Sequence, residues 1–536
     1  MRPPIWAQSR QEVCESLEYF KSYQSGVYYV NDVAQGYLLG AYSSSRDMFH
    51  HDGRLIVSHG GGKSEGLRVN KDSGQMEISR ASHQSSDDKS VRALLNTYRR
   101  GLPLVLLADD KYALFPYDLC AEGYAYIVLG HYWIAEAWAE LEIKKNEEKL
   151  VRYKFAFQWC PEQGEPWWTL PQDRMANTLA EAVTPARMRC DTCTITSVQV
   201  YEQGWMCLNP ACIVFFTLRG TNVVEELTAA LSFLSLRQNR PYKMSTGKES
   251  TLPAPPPAGE VDRGLVTTRR FTRGMHCVEC GRLSCRFRWK CWQCQGCKNE
   301  FDVKGAIRKP NEFWSQHRAL IFSDERIMPK ACINRGLQRM FLDEITNERL
   351  LLRSYTMPGN RGIIYIIPGN QKINCVADQI FHDYQEQAMN GTIDFRRYPL
   401  RSVGRGELLT NYFSQNSESV YLPSFECYSN QSARSAVATD SPQYVGGATR
   451  TISLEHGPSV VRDALTLVKR RIKVTIGKDV PFNEVLSAAY MEEQKMAGDI
   501  LVMDGAGVQE FYEHTVIPMN FRMVATCRVI SPENYT

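Results

Sequence analysis

A chain of 536 residues with 43% hydrophobic side chains is long enough for several cored domains and too apolar for an extended disordered polymer. Its 63 basic and 59 acidic residues leave a net charge of +4, which excludes a uniformly basic nucleic-acid coat, so any charged binding surface must be local. No apolar run approaches the roughly eighteen residues of a membrane helix, and the start MRPPIWAQSRQEVCESL lacks a secretory apolar core; the expectation is an intracellular protein, nuclear or cytoplasmic, with no membrane partner.

Residues 1–180 read as an α+β domain. Strands are expected at Val27–Val30 and Tyr153–Trp159, where aromatic and β-branched residues alternate with others. Helical spacing predicts helices over Ser90–Tyr98 and Tyr132–Trp138. The stretch RLIVSHGGGKSEG, Arg54 to Gly66, contains fragments of a phosphate loop and of a nucleophile elbow. The position a phosphate loop requires as its first glycine is Val57, and the HGGG run overlaps the GxSxG instead of lying on a separate element. A glycine-rich turn between strands is the reading that remains. His50, His51 and Asp52 supply the one His-x-Asp spacing of the chain and read as a loop pair.

Seventeen cysteines arranged as CxxC pairs in a large chain point to metal in a reducing compartment. Cys190-x2-Cys193 is followed after thirteen residues by Cys207-x4-Cys212, and Cys277-x2-Cys280 after thirteen residues by Cys294-x2-Cys297. Each set offers four thiolates spaced for one tetrahedral Zn(II), which predicts zinc ribbons over 186–216 and 270–304 and two structural zinc ions. Cys285 and Cys291 compete within the second set; the outer pairs are preferred because each turn supplies two ligands, with a six-thiol, two-metal cluster as the alternative. His276 is expected to sit beside the metal or at the surface.

Between the ribbons, residues 217–240 predict a helical segment centred on Val223–Leu231, and 243–264 a Pro/Gly/Ser-rich linker. Inside the second ribbon, Arg286-Phe287-Arg288-Trp289-Lys290 read as a strand puts Arg286, Arg288 and Lys290 on one face, with Arg269, Arg270 and Arg273 upstream. That face is either a phosphate-contacting surface or a charged hairpin edge.

Residues 305–536 predict a β core with flanking helices: a hairpin from Arg349 to Ile367 across Pro358-Gly359-Asn360, helices at Cys375–Met389 and Ser459–Arg471, and a strand-like Gly406–Phe413. The final stretch FNEVLSAAYMEEQKM, then GDILVMDGAGVQEFYEHTVIPMNFRMVATCRVI, resembles the AlkB-like branch of the Fe(II)/2-oxoglutarate dioxygenases. The match covers Phe482 to Ile530: the FNxxLxxxY strand, the entry strand Gly498–Met503 with its Gly-Ala turn, and Arg522-x5-Arg528 after His514. The whole chain also resembles a fungal group in which two zinc knuckles precede such a domain.

The resemblance implies a double-stranded β-helix, a jelly roll, as the carboxy-terminal fold, so the whole is read as an α+β multidomain chain. It implies Fe(II) and 2-oxoglutarate as cofactors, and oxidative demethylation of N-methylated nucleic-acid bases as the family activity, with the base flipped into the barrel mouth. It puts an iron ligand at His514, the 2-oxoglutarate carboxylate on Arg522, Tyr490 beside it, and Arg528 in the site. The family's His-x-Asp should fall after about residue 496, yet the sequence runs from Tyr490 to Gly498 without a histidine, and Ala488 stands where much of the family has Asn. One imidazole cannot hold Fe(II) on the facial triad of two His and one carboxylate, so an incomplete, inactive domain is expected. By propensity Asn483–Lys495 is a capped helix, whereas the resemblance requires a strand through Tyr490. Two readings stand: a dioxygenase by descent, or a zinc-ribbon module that binds nucleic acid or protein without chemistry.

Overall fold

In the computed structural model the chain divides into two compact units, Met1–Ala254 with His276–Ser284 and Gln295–Cys297, and Pro255–Met275 with Cys285–Cys294 and Lys298–Thr536. The structure describes residues 2–40, 44–61, 66–69, 76–79, 82–143, 149–169, 185–218, 221–222, 227–235, 251–253, 267, 271, 273–303, 307–312, 337–357, 359, 361–369, 372–400, 408–418, 451–491, 500–504 and 521–529. Among them no helix is long and apolar enough to cross a membrane.

The first unit is built on an eight-stranded sheet. Its strands are β1 (Trp6–Ala7), β2 (Val27–Val30), β3 (Val33–Leu39), β4 (Met48–His50), β5 (Leu55–His59), β8 (Leu104–Asp109), β9 (Tyr126–Ile143) and β10 (Lys149–Trp159). The order is β2-β3-β8-β9-β10-β5-β4, with β1 paired to β9; β6 (Gly66–Val69) and β7 (Met76–Ser79) form a separate hairpin. Only β3 and β8 run parallel, and helix α2 (Lys89–Arg100) lies between them in sequence. That helix buries Val91, Leu94 and Thr97 and ends on Gly101 in the left-handed region. Thr97 Oγ1 also accepts the backbone N–H of Ala34 at 2.9 Å, which ties the helix to β3.

The helix predicted over Tyr132–Trp138 is instead the middle of β9. This strand is hydrogen-bonded to β8 on one side and β10 on the other, and Tyr132, Trp133, Ile134, Ala135 and Trp138 are all buried. A strand buried on both faces carries a continuous apolar run, which periodicity cannot separate from a helix. The expected strands at Val27–Val30 and Tyr153–Trp159 and the helix at Ser90–Tyr98 are present. Gly60 and Gly61 follow β5, and residues 62–65 lie outside the described set. Helix α1 (Arg10–Ser16) opens with a capping box: Glu12 N–H donates to Ser9 Oγ at 3.2 Å and Ser9 N–H to Glu12 Oε2 at 3.1 Å.

The helix predicted around Val223–Leu231 also gives way. Thr217–Leu218 and Thr221–Asn222 form a hairpin, Ala229 bridges to Tyr201, and among the described residues of this segment helix covers Leu231–Leu234; residues 219–220, 223–226 and 236–240 are not among those described.

The second unit holds two four-stranded sheets. One runs in the order Leu337–Asp343, Glu348–Thr356, Ile363–Ile367, Ile500–Asp504, all antiparallel. The other runs Thr451–Ser453, Phe413–Glu418, Glu484–Tyr490, Arg522–Arg528, with only the first pair parallel. Helices Cys375–Asn390 and Ser459–Ile476 pack on each other, and the second also reaches strands of both sheets. The predicted hairpin and both helices are therefore present, and Glu484–Tyr490 is a strand. Its propensity for helix yields because it is the shared neighbour of Phe413–Glu418 and Arg522–Arg528, with Val485 and Ala489 fully buried.

Candidate metal centres and the carboxy-terminal sheet

Three CxxC turns have the same backbone construction. In each, the first cysteine's N–H donates to the carbonyl five residues on and its own carbonyl accepts the N–H four residues on. The bonds are Cys190 to Ile195 (3.0 Å) and Thr194 to Cys190 (2.8 Å), Cys277 to Arg282 (3.0 Å) and Gly281 to Cys277 (2.7 Å), Cys294 to Asn299 (2.8 Å) and Lys298 to Cys294 (3.0 Å). The residue after the second cysteine takes positive φ each time: Thr194 at 61°, Gly281 at 71°, Lys298 at 65°. Such a turn aims both thiols to one side. The fourth element, Cys207-x4-Cys212, closes differently, with Phe216 N–H donating to Cys207 O at 2.8 Å and Cys212 N–H to Asn209 O at 3.0 Å.

These turns bring the sulfurs together as the spacing predicts. Cys190, Cys193, Cys207 and Cys212 form one cluster and Cys277, Cys280, Cys294 and Cys297 another, every sulfur within 4.8 Å of the others in its set. Zn–S bonds of about 2.3 Å in a tetrahedron place sulfurs about 3.8 Å apart. The observed separations are 3.9 Å for Cys190–Cys212, 3.6 Å for Cys193–Cys207 and 3.4 Å for Cys277–Cys297, all far beyond the roughly 2.05 Å of a disulfide. The donor sets fit structural zinc. The Asn209 side chain and the Ile195 N–H push Cys193 down to about 6, while burial raises its neighbour Cys207.

The outer pairs of the second set are the ones that converge. Cys291 lies on the strand Cys291–Gln293 that leads into the third turn and is fully buried, its thiol pushed up by burial. Cys285 is buried as well and belongs to neither cluster. His276 is buried beside the second turn, and its Nε2 meets Pro4 O at 2.9 Å.

The cationic face expected at Arg286, Arg288 and Lys290 does not form. Residues 285–287 are not a strand, and Arg286 is 1% exposed. Its guanidinium donates to the carbonyls of Phe271 (2.7 Å), Arg288 (3.2 Å) and Trp289, and lies 5.1 Å from the Trp292 ring and 5.4 Å from the Phe413 ring. Burial pushes it down to about 9. It is an interior brace that satisfies irregular carbonyls, not a phosphate contact. Arg288 is partly exposed and 3.6 Å from Glu300, while Lys290 is exposed. Arg269 and Arg270 lie outside the described residues. His50 ends β4, and His51 and Asp52 form the turn after it, so this His-x-Asp belongs to the first unit's sheet edge.

In the carboxy-terminal sheet, Tyr490 is the cross-strand partner of Arg522, and Glu484 that of Arg528. Strand parity groups Ser414, Asn416 and Glu418 with Leu486, Ala488 and Tyr490, opposite the face carrying Phe413, Val485, Ser487 and Ala489. The latter face packs under the helices: Tyr384 Oη meets Ser487 Oγ at 2.9 Å, within a core of Tyr384, Ala388, Val460, Val461 and Ala464. The former is the more polar. Arg528 Nη1 lies 3.3 Å from Glu484 Oε2, Tyr490 stacks 5.1 Å from Tyr412, and Asn416 Oδ1 is a buried acceptor with no hydrogen bond.

His514 lies outside the described residues. The remaining metal-capable group among the described residues, His382, Asp383 and Glu386, sits part-exposed on one helix and in neither cysteine cluster. That group offers one imidazole, so no group among the described residues brings together the two imidazoles and one carboxylate of a ferrous-iron site.

No family model and no curated protein matches the sequence. Among solved structures, the SRA domain of SUVH5 with methylated CHH DNA is similar at 17% identity over 30% of this chain and 90% of that one, TM-score 0.20. A modification-dependent restriction endonuclease, TagI, is similar at 14% identity over 36% of this chain and 64% of that one, TM-score 0.24. KRYPTONITE in complex with mCHG DNA gives 15% identity over 29% and 31%, TM-score 0.21. Likenesses of this size carry no functional argument.

Proposed function

We propose that the chain is an AlkB-like dioxygenase by descent that does not oxidise as its sequence stands, and that it acts by binding, with two zinc ions stapling the ribbons. The observation that carries this reading is the cross-strand placement of Tyr490 with Arg522 and Glu484 with Arg528 on one sheet. That is where the resemblance puts the 2-oxoglutarate end of the site. At the iron end the His-x-Asp pair is missing, because no histidine lies between Tyr490 and Gly498, which leaves His514 as the one ligand the resemblance supplies. Arg528 is already engaged by Glu484, which weakens its claim on a substrate anion.

Nucleic acid is the partner class the resemblance implies, and exposed Lys290 with part-exposed Arg288 is the local charge that would meet a phosphate. The test is fluorescence anisotropy of labelled single-stranded and duplex oligonucleotides with the full-length, zinc-loaded protein. Binding that weakens steeply as salt rises is expected; no binding at low salt to either form would overturn the nucleic-acid half of the reading.

A further inference from the structure

The first unit contains a pocket of about 120 Å³ between the loop after β8 and the segment after β10, walled by Phe115, Tyr117, Tyr124 and Trp167. Pro3, Asp118, Leu119, Ala121 and Glu122 also line it, and these described residues include no lysine, arginine or histidine. That space is several times what one water requires, room for one compact head group.

The rings are fixed before any ligand arrives. Tyr117 Oη donates to Trp168 O at 2.9 Å and Trp167 Nε1 to Val128 O at 3.0 Å, so the polar atoms of both rings are already used. Phe115, nearly buried, lies 5.9 Å from Tyr117 and 6.3 Å from Trp167 by ring centroids, and Trp6 holds Tyr124 edge-on at 5.0 Å. The loop that carries them is a chain of tight turns, with Ala121 N–H on Asp118 Oδ1 at 3.0 Å and Tyr124 N–H on Leu119 O at 2.8 Å.

We propose that this pocket is a binding site for a methylated ammonium group. Aromatic faces present negative potential to a cation within about 6 Å of a ring centre, and two carboxylates in the lining add to it. Apart from the Asp118 and Glu122 carboxylates the walls are apolar, and Tyr117 Oη and Trp167 Nε1 are already committed as donors to backbone carbonyls, so a primary ammonium replaces only part of its hydration shell. A trimethylammonium has no N–H to satisfy and loses less on entry. Its source is either a small molecule or a methylated lysine side chain of a peptide.

Calorimetric titration of the full-length, zinc-loaded protein with choline, with its uncharged isostere 3,3-dimethylbutanol, and with one short peptide carrying lysine or trimethyllysine tests the proposal. Choline or the trimethyllysine peptide is expected to bind at least about tenfold more tightly than its uncharged or unmethylated counterpart. Preference for choline assigns a small-molecule source and preference for the peptide a protein source. Glu122→Gln, an exposed change that leaves the fold untouched, should weaken either by a few-fold, and Trp167→Phe by more. Equal binding of 3,3-dimethylbutanol and choline, or no heat from either cation at millimolar concentration, would overturn the proposal.

Discussion

Lys154 places its ammonium in the interior of the first unit, fully buried, 2.5 Å from Asp47 Oδ1, 2.6 Å from Ser45 O and 3.8 Å from Glu140 Oε1. Asp47 is itself buried, which alone would raise its carboxyl, but Lys154 and His59 together hold it below the ordinary carboxylate range. A depressed acid contributes stability that is present above its unfolded value and lost as pH falls through its folded one. Lys154→Met removes the nearest counter-charge of buried Asp47 and should cost about 3 kcal/mol at neutral pH. The deficit should shrink as acid protonates Asp47; thermal unfolding of both proteins from pH 7 to pH 4 reads it, and a pH-independent deficit would count against the pair.

Arg286 and Lys290 separate two roles that period-two counting had merged. Arg286→Met leaves three backbone carbonyls without their donor and should lower stability by about 2–3 kcal/mol without changing the salt dependence of oligonucleotide binding. Lys290→Gln should leave stability nearly unchanged and reduce that salt slope by about one. The reverse pattern would mean that the burial of Arg286 had been misassigned. Nothing in the local sequence distinguishes the two cations. Arg286 is drawn inward by Trp289, Trp292 and Phe413, and Phe413 lies more than a hundred residues away.

At the scale of elements, the cysteine turns were legible because their chemistry is local. Four thiols and two short spacings define a tetrahedron, and the positive-φ position after each CxxC needs no distant partner. Replacing Cys193 or Cys280 by Ser should remove one zinc ion and unfold its ribbon, whereas Cys285→Ala and Cys291→Ala should keep both ions. Metal analysis of the four variants decides it, and zinc loss in Cys291→Ala would favour the six-thiol alternative. Strands were less legible. Tyr132–Trp138 has helical spacing only because both faces of β9 are covered, and Glu484–Tyr490 has helical propensity that two neighbouring strands override. Both depend on strands far off in the chain, which a local window does not contain. The helices at Lys89–Arg100, Cys375–Asn390 and Ser459–Ile476 were readable since each has one apolar face and a glycine in the left-handed region at its end.

For the whole molecule, the proposed reading is of zinc-stapled ribbons and sheets that bind without oxidising. The cysteine sets have the geometry for two zinc ions, and the carboxy-terminal sheet holds Tyr490 and Arg522 in register. The pocket of Phe115, Tyr117, Tyr124 and Trp167 was not foreseen from the sequence, since its aromatics come from segments about forty residues apart and join only when β9 and β10 return the chain. The most direct test is elemental analysis of the full-length protein after anaerobic incubation with Fe(II) and 2-oxoglutarate and removal of free metal, followed by exposure to oxygen. Two zinc ions per chain, no stoichiometric iron and no succinate are predicted; iron near one per chain with succinate formed would contradict the account.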